Sequence, residues 1–452
     1  MTLLHADVAL LPGGWATDVT VDIQEARIGA VTPDAAPSGQ RVPILLPAPA
    51  NLHSHTFQRA MAGMAEHRTA GQDSFWTWRT LMYRFLDRLT PEHIQAIAAQ
   101  VFVETLEAGF ASIGEFHYLH HATGGARYDD KAELSARIAA AATDTGIGLT
   151  HLPVLYSQGG SDGRALAGGQ LRFGNTLEEF APLLERAEAH VATVAPDART
   201  GIAPHSLRAV AVEPLTEATQ LRPDAPFHIH IAEQRAEVTE ILATHGATPV
   251  KWLLEILDVG PSWCLIHATH MSPAETEGLA RSGAVAGLCP ITESNLGDGI
   301  FDGARFAAAG GRFGVGSDSN VRIALGEELR TLEYSQRLDA QSRTVLARTD
   351  ATTGRVLFDQ ACRSGAQALG RDAGRIEAGA WADLVALDSD HLALAGLTKD
   401  QLLDGWIFAG DDSVVSDVWS AGRHVVTDGR HRDRDRIEAA YRQALSDLRA
   451  AL

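Results

Sequence analysis

Residues 42–60 read VPILLPAPANLHSHTFQRA. An apolar run, Val42–Ala50, leads into two histidines, His53 and His55, on either side of one serine. Such a run has the composition of a strand buried on both faces. If Pro43–His53 is that strand, residues two apart point to the same side of it. His53 and His55 then aim both rings at one point. Imidazole is the commonest protein ligand for a divalent transition metal. The stretch therefore predicts a buried strand whose C-terminal end carries part of a metal site.

Working outward, the centre of the chain alternates apolar strand-like runs with helical patterns, as βα units around a parallel sheet do. The strand candidates are Pro43–His53, Phe110–His117, Gly148–Leu155, Thr200–Pro204, Phe227–Ile231, Trp263–His267, Ala284–Leu288 and Arg312–Gly316. Pro91–Ala108 is a representative helix between them. Thr90 is its expected N-cap, Pro91 takes the first position, and Ile94, Ile97, Ala98 and Val101 share one face before Gly109. The series predicts an α/β fold, a (β/α)8 TIM-like barrel with insertions, over 49–375. The two ends, 1–48 and 376–452, are β-rich and turn-rich, and are expected to pair as one small β-sandwich domain. The last segment, RDRDRIEAAYRQALSDLRAAL, reads as a charged helix.

The chain has 452 residues and a formal net charge of −19. That balance argues against nucleic acid or an anionic membrane as a partner. An anionic substrate would need local arginines. Three cysteines, Cys264, Cys289 and Cys362, show no CxxC spacing and fit a reducing, cytoplasmic setting. The N-terminus MTLLHADVALLPGG lacks a basic leader region, and no run of about 18 apolar residues is present.

Chemistry in a barrel of this kind gathers at the C-terminal strand ends. There the sequence places GEFHY (114–118), APHSLR (203–208), HIHIAEQ (228–234), IHATH (266–270) and GVGSDSN (314–320). A third imidazole from the fifth strand and a carboxylate from the eighth would complete a metal site with an open position. Plainer readings exist: His267 as a hydrogen-bonded structural residue, Asp318 as a helix cap. Ligand-type residues at four separate strand ends favour the metal. His117, His120, His121 and His270 are expected to pack, Glu115 to make a structural hydrogen bond, and Cys289 to fill space. Pro290–Gly299, PITESNLGDG, is expected to be a polar loop, with Ser294 and Asn295 lining the pocket.

The order HxH, His, His, Asp resembles the amidohydrolase superfamily of metal-dependent hydrolases. No lysine follows the fourth strand, where two-metal members carry one; His205 stands there, as in the one-metal subtype typical of deaminases. NLHSHTFQRAMAGMAEHR (51–68), DSFWTWRTLMYRF (73–85), GEFHYLHH (114–121) and APHSLRAV (203–210) are more specific. They are similar to the formimidoylglutamate deiminases, the N-formimino-L-glutamate iminohydrolases of histidine degradation. The resemblance implies one zinc ion on His53, His55, His230 and Asp318. It implies Glu233, His267 and Asp318 as catalytic groups, and Gln58, Arg79, Tyr118, His205 and Arg208 as substrate contacts.

In the chemistry so implied, zinc makes a water acidic at neutral pH. Asp318 takes its proton, Glu233 passes a proton to the departing nitrogen, and His267 stabilises developing charge. Arg79 and Arg208 suit the two carboxylates of the glutamate end. Two other readings remain open at this stage. One is a one-metal aminohydrolase of purine, pterin or triazine rings, which needs no pair of arginines. The other is a barrel scaffold without catalysis. A homodimer is expected.

Overall fold

A computed structural model describes residues 2–66 and 75–450, the side chains of 75–80 excepted. The strands in chain order are β1 (Thr2–Leu11), β2 (Gly14–Gln24), β3 (Arg27–Thr32), β4 (Gln40–Pro47), β5 (Ala50–Ser54), β6 (Ser112–His117) and β7 (Gly148–Leu155). There follow β8 (Arg199–Thr200), β9 (Ala203–Pro204), β10 (Phe227–Ile231), β11 (Trp263–His267), β12 (Val285–Leu288), β13 (Arg312–Val315), β14 (Leu384–Leu387), β15 (Val415–Ser420), β16 (Arg423–Thr427) and β17 (Arg430–His431).

The apolar run at the start does not form one strand, as its composition suggested. β4 belongs to the sheet made by the chain ends, and β5 opens the barrel. The break falls at Pro47–Pro49, where two prolines lack the N–H that a continuing ladder needs. The chain crosses there from one sheet to the other. Both sheets bury it, so its apolar character is continuous while its pairing is not.

The chain ends meet in a single hydrogen-bonded sheet, ordered β17-β16-β15-β14-β4-β1-β2-β3 among the described residues. β4 lies at its centre, parallel to β1 and antiparallel to β14, with Pro47 opposite Leu384. Leu4, Val19, Val21, Val42, Leu384 and Trp419 share a core of their own inside this sheet.

The barrel is built from two parallel runs, β5-β6-β7-β8 with β9 also on β7, and β10-β11-β12-β13. Bridges Ile202↔Phe227 and Ser206↔His230 join the fourth strand to the fifth, and Ser54↔Asp318 joins the eighth to the first. The fourth strand is itself split between Thr200 and Ala203. At Gly316 a Cβ would lie 2.7 Å from the backbone N and O of His53, so glycine is what allows this closure. Leu52, Cys264, Ile266, Val285 and Cys289 fill the interior as apolar residues.

The helix Pro91–Glu107 is capped by Thr90, whose hydroxyl accepts the His93 N–H at 3.3 Å. The final helix, Arg434–Ala450, packs against it. A buried ion network pins the end sheet to the barrel. Asp197 pairs with Arg371 at 2.8 Å and with Arg423 at 2.7 Å, and Arg371 also pairs with Asp383. Among the described residues no helix is long and apolar enough to cross a membrane.

Candidate active site

Three strand ends, the first, fifth and eighth, bring four ligand-type side chains together. The Nε2 atoms of His53, His55 and His230 stand 3.1–3.3 Å from one another, and Asp318 Oδ1 lies 3.5 Å from His53 Nε2 and 3.3 Å from His55 Nε2. A tetrahedral ion with nitrogen ligands at about 2.0–2.1 Å has ligand–ligand edges of roughly 3.3–3.4 Å. The spacing fits. Nδ1 of His55 donates to the Phe116 carbonyl at 2.9 Å and Nδ1 of His230 to the His205 carbonyl at 3.1 Å. These bonds leave the Nε2 lone pairs facing the common point, the outer hydrogen bonding that orients ligating histidines.

Charge in the cluster agrees with this. Burial lowers the pKa of all three rings, His53 to about 3, so each is neutral and able to donate a lone pair. Burial alone would raise Asp318, but His53, His267 and His55 around it hold its carboxylate below the usual range. Asp318 has φ 44, a left-handed conformation uncommon outside glycine and typical of strained functional sites.

His267 ends β11 with φ 70. Its Nδ1 lies 3.2 Å from Glu293 Oε1, and its Nε2 lies 3.9 Å from both Glu233 Oε1 and Asp318 Oδ2. Burial alone would lower the pKa of this imidazole. The carboxylates of Glu233, Glu293 and Asp318 outweigh it and carry the ring up to about 10. A protonated His267 would donate from both nitrogens. Glu233 is pushed up to about 7 by burial, with Asp318 and Glu237 adding to the shift against His267 and Arg208. A carboxyl poised near neutrality can both give and take a proton.

These groups line one cleft of about 610 Å³, open mouth included, together with Gln58, Tyr118, His205 and Arg208. Gln58 Nε2 donates to the Tyr118 hydroxyl at 2.8 Å. The His205 ring tilts against His230 and meets Tyr156 edge-on. Arg208 is held charged although burial opposes it, chiefly by the field of Glu237, Tyr156 and Glu233. Arg79 lies in the helix Phe75–Leu86, and its side chain falls outside the described residues.

Other expectations divide. Glu115 accepts the Thr56 N–H at 3.0 Å and its hydroxyl at 2.7 Å, a structural tie between strands one and two. His117 is buried against His120 and His151, and His120 donates to the Val154 carbonyl, so both pack. His121 and His270 bond to backbone carbonyls at Gly174 and Asp298. Pro290–Leu296 is a short helix rather than a loop. Ser294 and Asn295 are exposed, Asn295 bonding Glu66 at 2.7 Å, while Thr292 and Leu296 face the cleft. The sequence reading missed Glu293, Tyr156 and Phe173. Tyr156 directly follows β7 and was findable by the strand-end rule.

Fold and site together define a (β/α)8 barrel with a His/His/His/Asp cluster at one rim that could hold a metal ion. The amidohydrolase family model matches residues 44–425, and the model described as formimidoylglutamate deiminase HutF, N-terminal domain, matches residues 1–41. The formimidoylglutamate deiminase of Pseudomonas aeruginosa is 49% identical over 99% of this chain and 100% of its own. A crystal structure of an amidohydrolase from Brucella melitensis superposes with a TM-score of 0.95 at 50% identity, over 99% of this chain and 100% of that one. A zinc-bound adenosine deaminase from Xanthomonas campestris has the same fold, with a TM-score of 0.83 at 21% identity over 99% and 98% of the two chains. The chain belongs to the amidohydrolase family, among its formimidoylglutamate deiminases.

Proposed function

We propose that the chain hydrolyses the formimino C=N group of N-formimino-L-glutamate, with water, to N-formyl-L-glutamate and ammonia, a step of histidine degradation. One observation carries the reading: a carboxyl, Glu233, and an arginine, Arg208, line the same cleft as His55, His230 and Asp318 of the His/His/His/Asp cluster. The substrate has a cationic amidine at one end and carboxylates at the other.

His53, His55, His230 and Asp318 would hold one zinc ion. Such an ion, when bound, acts as a Lewis acid and acidifies water to near-neutral pH. Asp318 accepts the proton of the attacking water. Glu233 pairs with the amidinium and delivers a proton to the departing nitrogen. His267, donating from Nε2, stabilises charge developing at the reacting carbon's substituents. Arg208, with Arg79, binds the glutamate carboxylates, helped by Gln58, Tyr118 and His205.

The domain division that goes with this reading is 49–375 for the barrel, with 1–48 and 376–452 forming the end module. A cytoplasmic homodimer completes it. Cys264, Cys289 and Cys362 are buried free thiols, which suits a reducing compartment. The exposed Tyr334 and Leu338 share one helix that could face a second copy.

The test is ammonia release from N-formimino-L-glutamate by the purified zinc-loaded protein. Release that stops on chelation and returns with zinc is the expected result. No release from a zinc-loaded sample, or release from a purine, pterin or triazine instead, would overturn the reading.

A further inference from the structure

Glu237 is a buried carboxylate that neither the metal cluster nor the proton transfers above employ. It sits in the first turn of the helix Arg235–His245, behind an N-cap, Gln234, that makes no side-chain cap bond. A first-turn glutamate ordinarily reaches back to the N-cap N–H. Glu237 reaches further. One of its oxygens accepts the N–H of Ala232 at 3.2 Å, and the other the N–H of Glu233 at 3.1 Å.

The turn it grips is unusual. Ala232 has φ 51, a left-handed conformation that an alanine holds only when its surroundings impose it. This turn redirects the chain as β10 ends at Ile231 and aims Glu233 towards His267 Nε2, 3.9 Å away. Glu237 is 2% exposed, so water cannot replace its two acceptor bonds.

We infer that Glu237 is a positioning residue: its carboxylate clamps the Ala232–Glu233 turn and so fixes the Glu233 carboxyl against His267. The inference rests on the reading of Glu233 as the proton shuttle. A glutamine at 237 keeps the shape but has one acceptor oxygen for two N–H groups. One amide is then left unpaired and the turn loosens.

The test uses the zinc-loaded full chain carrying Glu237→Gln, with two readouts. Amide hydrogen exchange at Ala232 and Glu233 should quicken by at least about 10-fold, and kcat should fall about 10- to 100-fold, the usual effect of losing an outer-shell partner. Zinc content should be unchanged, since Glu237 touches no ligand; KM is read separately, because Glu237 is also the chief negative charge facing Arg208. Unchanged exchange overturns the inference, as does an unchanged kcat or a loss of kcat that tracks loss of zinc. If Glu237→Gln does not fold, Glu237→Asp, too short to span both amides, is measured by the same criteria. The exchange readout needs no substrate. A wild-type enzyme inactive on N-formimino-L-glutamate would thus refute the function while the clamp is still decided.

Discussion

The N–H of Asp318 donates to the carbonyl of His53 at 2.9 Å, and the carbonyl of Asp318 accepts the N–H of His55 at 2.8 Å. The residue on the eighth strand is thus paired through its backbone with both histidines of the first. Closure of the barrel therefore brings three of the four cluster residues together. Beside this pairing, Asn51 donates to the Ser317 hydroxyl at 2.7 Å and accepts the Ser317 N–H at 3.0 Å. Ser317 in turn donates to Asn320 at 2.6 Å, and Asn320 to the Ser54 hydroxyl at 3.1 Å. All four side chains are buried.

Asn51→Ala should therefore weaken zinc retention without removing a ligand. The expected loss is about 10- to 100-fold in affinity, with a stability cost of about 1–3 kcal/mol for the unpaired Ser317 amide. Chelator competition and thermal melts of the holo protein measure the two. Wild-type zinc retention would show that the network holds the fold alone.

Glu233→Gln should keep the metal and lose turnover by about 10²- to 10⁴-fold, the usual worth of a general acid–base group. Metal analysis alongside kcat decides it. Near wild-type turnover would remove Glu233 from the proton path.

Arg208→Met should weaken substrate binding by about 2–5 kcal/mol, the cost of leaving a buried carboxylate without its partner. Equilibrium binding of N-formyl-L-glutamate to the zinc protein reads this directly. Unaltered binding would assign the carboxylate contact to another residue.

Asp197→Asn should destabilise the fold at pH 7 by about 1–3 kcal/mol, because it strips a carboxylate from half-buried Arg423 and from buried Arg371, which keeps Asp383 as its partner. Burial alone would raise the pKa of Asp197, but Arg423 and Arg371 hold it below its ordinary value. A depressed carboxylate contributes stability above its unfolded pKa, about 3.9, and loses it as pH falls through the lower folded value. The gap between wild type and Asp197→Asn should thus be full at pH 7 and narrow below about pH 4. Denaturant melts at the two pH values test the sign. A gap that widens in acid would contradict it.

What the sequence revealed follows from how locally each feature is encoded. His53, His55, His230, His267 and Asp318 each lie at the end of an apolar run, so strand periodicity alone places them at one rim. Glu237 and Glu293 look like ordinary first-turn helix acids. Their roles arise only once tertiary packing brings the Ala232 turn and the His267 ring to them. Ser294 and Asn295 misled because a polar, glycine-rich composition hides a helix of about two turns, and Gly297, at φ 71, was its stop signal. Pro47 and Pro49 were the visible mark of the sheet change, masked by an apolar background common to both sheets.

That sheet change has a consequence during synthesis. β4 emerges early, yet its partner β14 pairs Leu384 with Pro47. At roughly 5–20 residues per second, one flank of β4 waits about 20–70 s for its neighbour. Throughout that interval the ribosome displays an unsatisfied strand edge on an apolar ribbon, the kind of surface that recruits holdases or seeds aggregates. Heterologous yield should then respond to translation speed and chaperone supply more than to the stability of the finished enzyme.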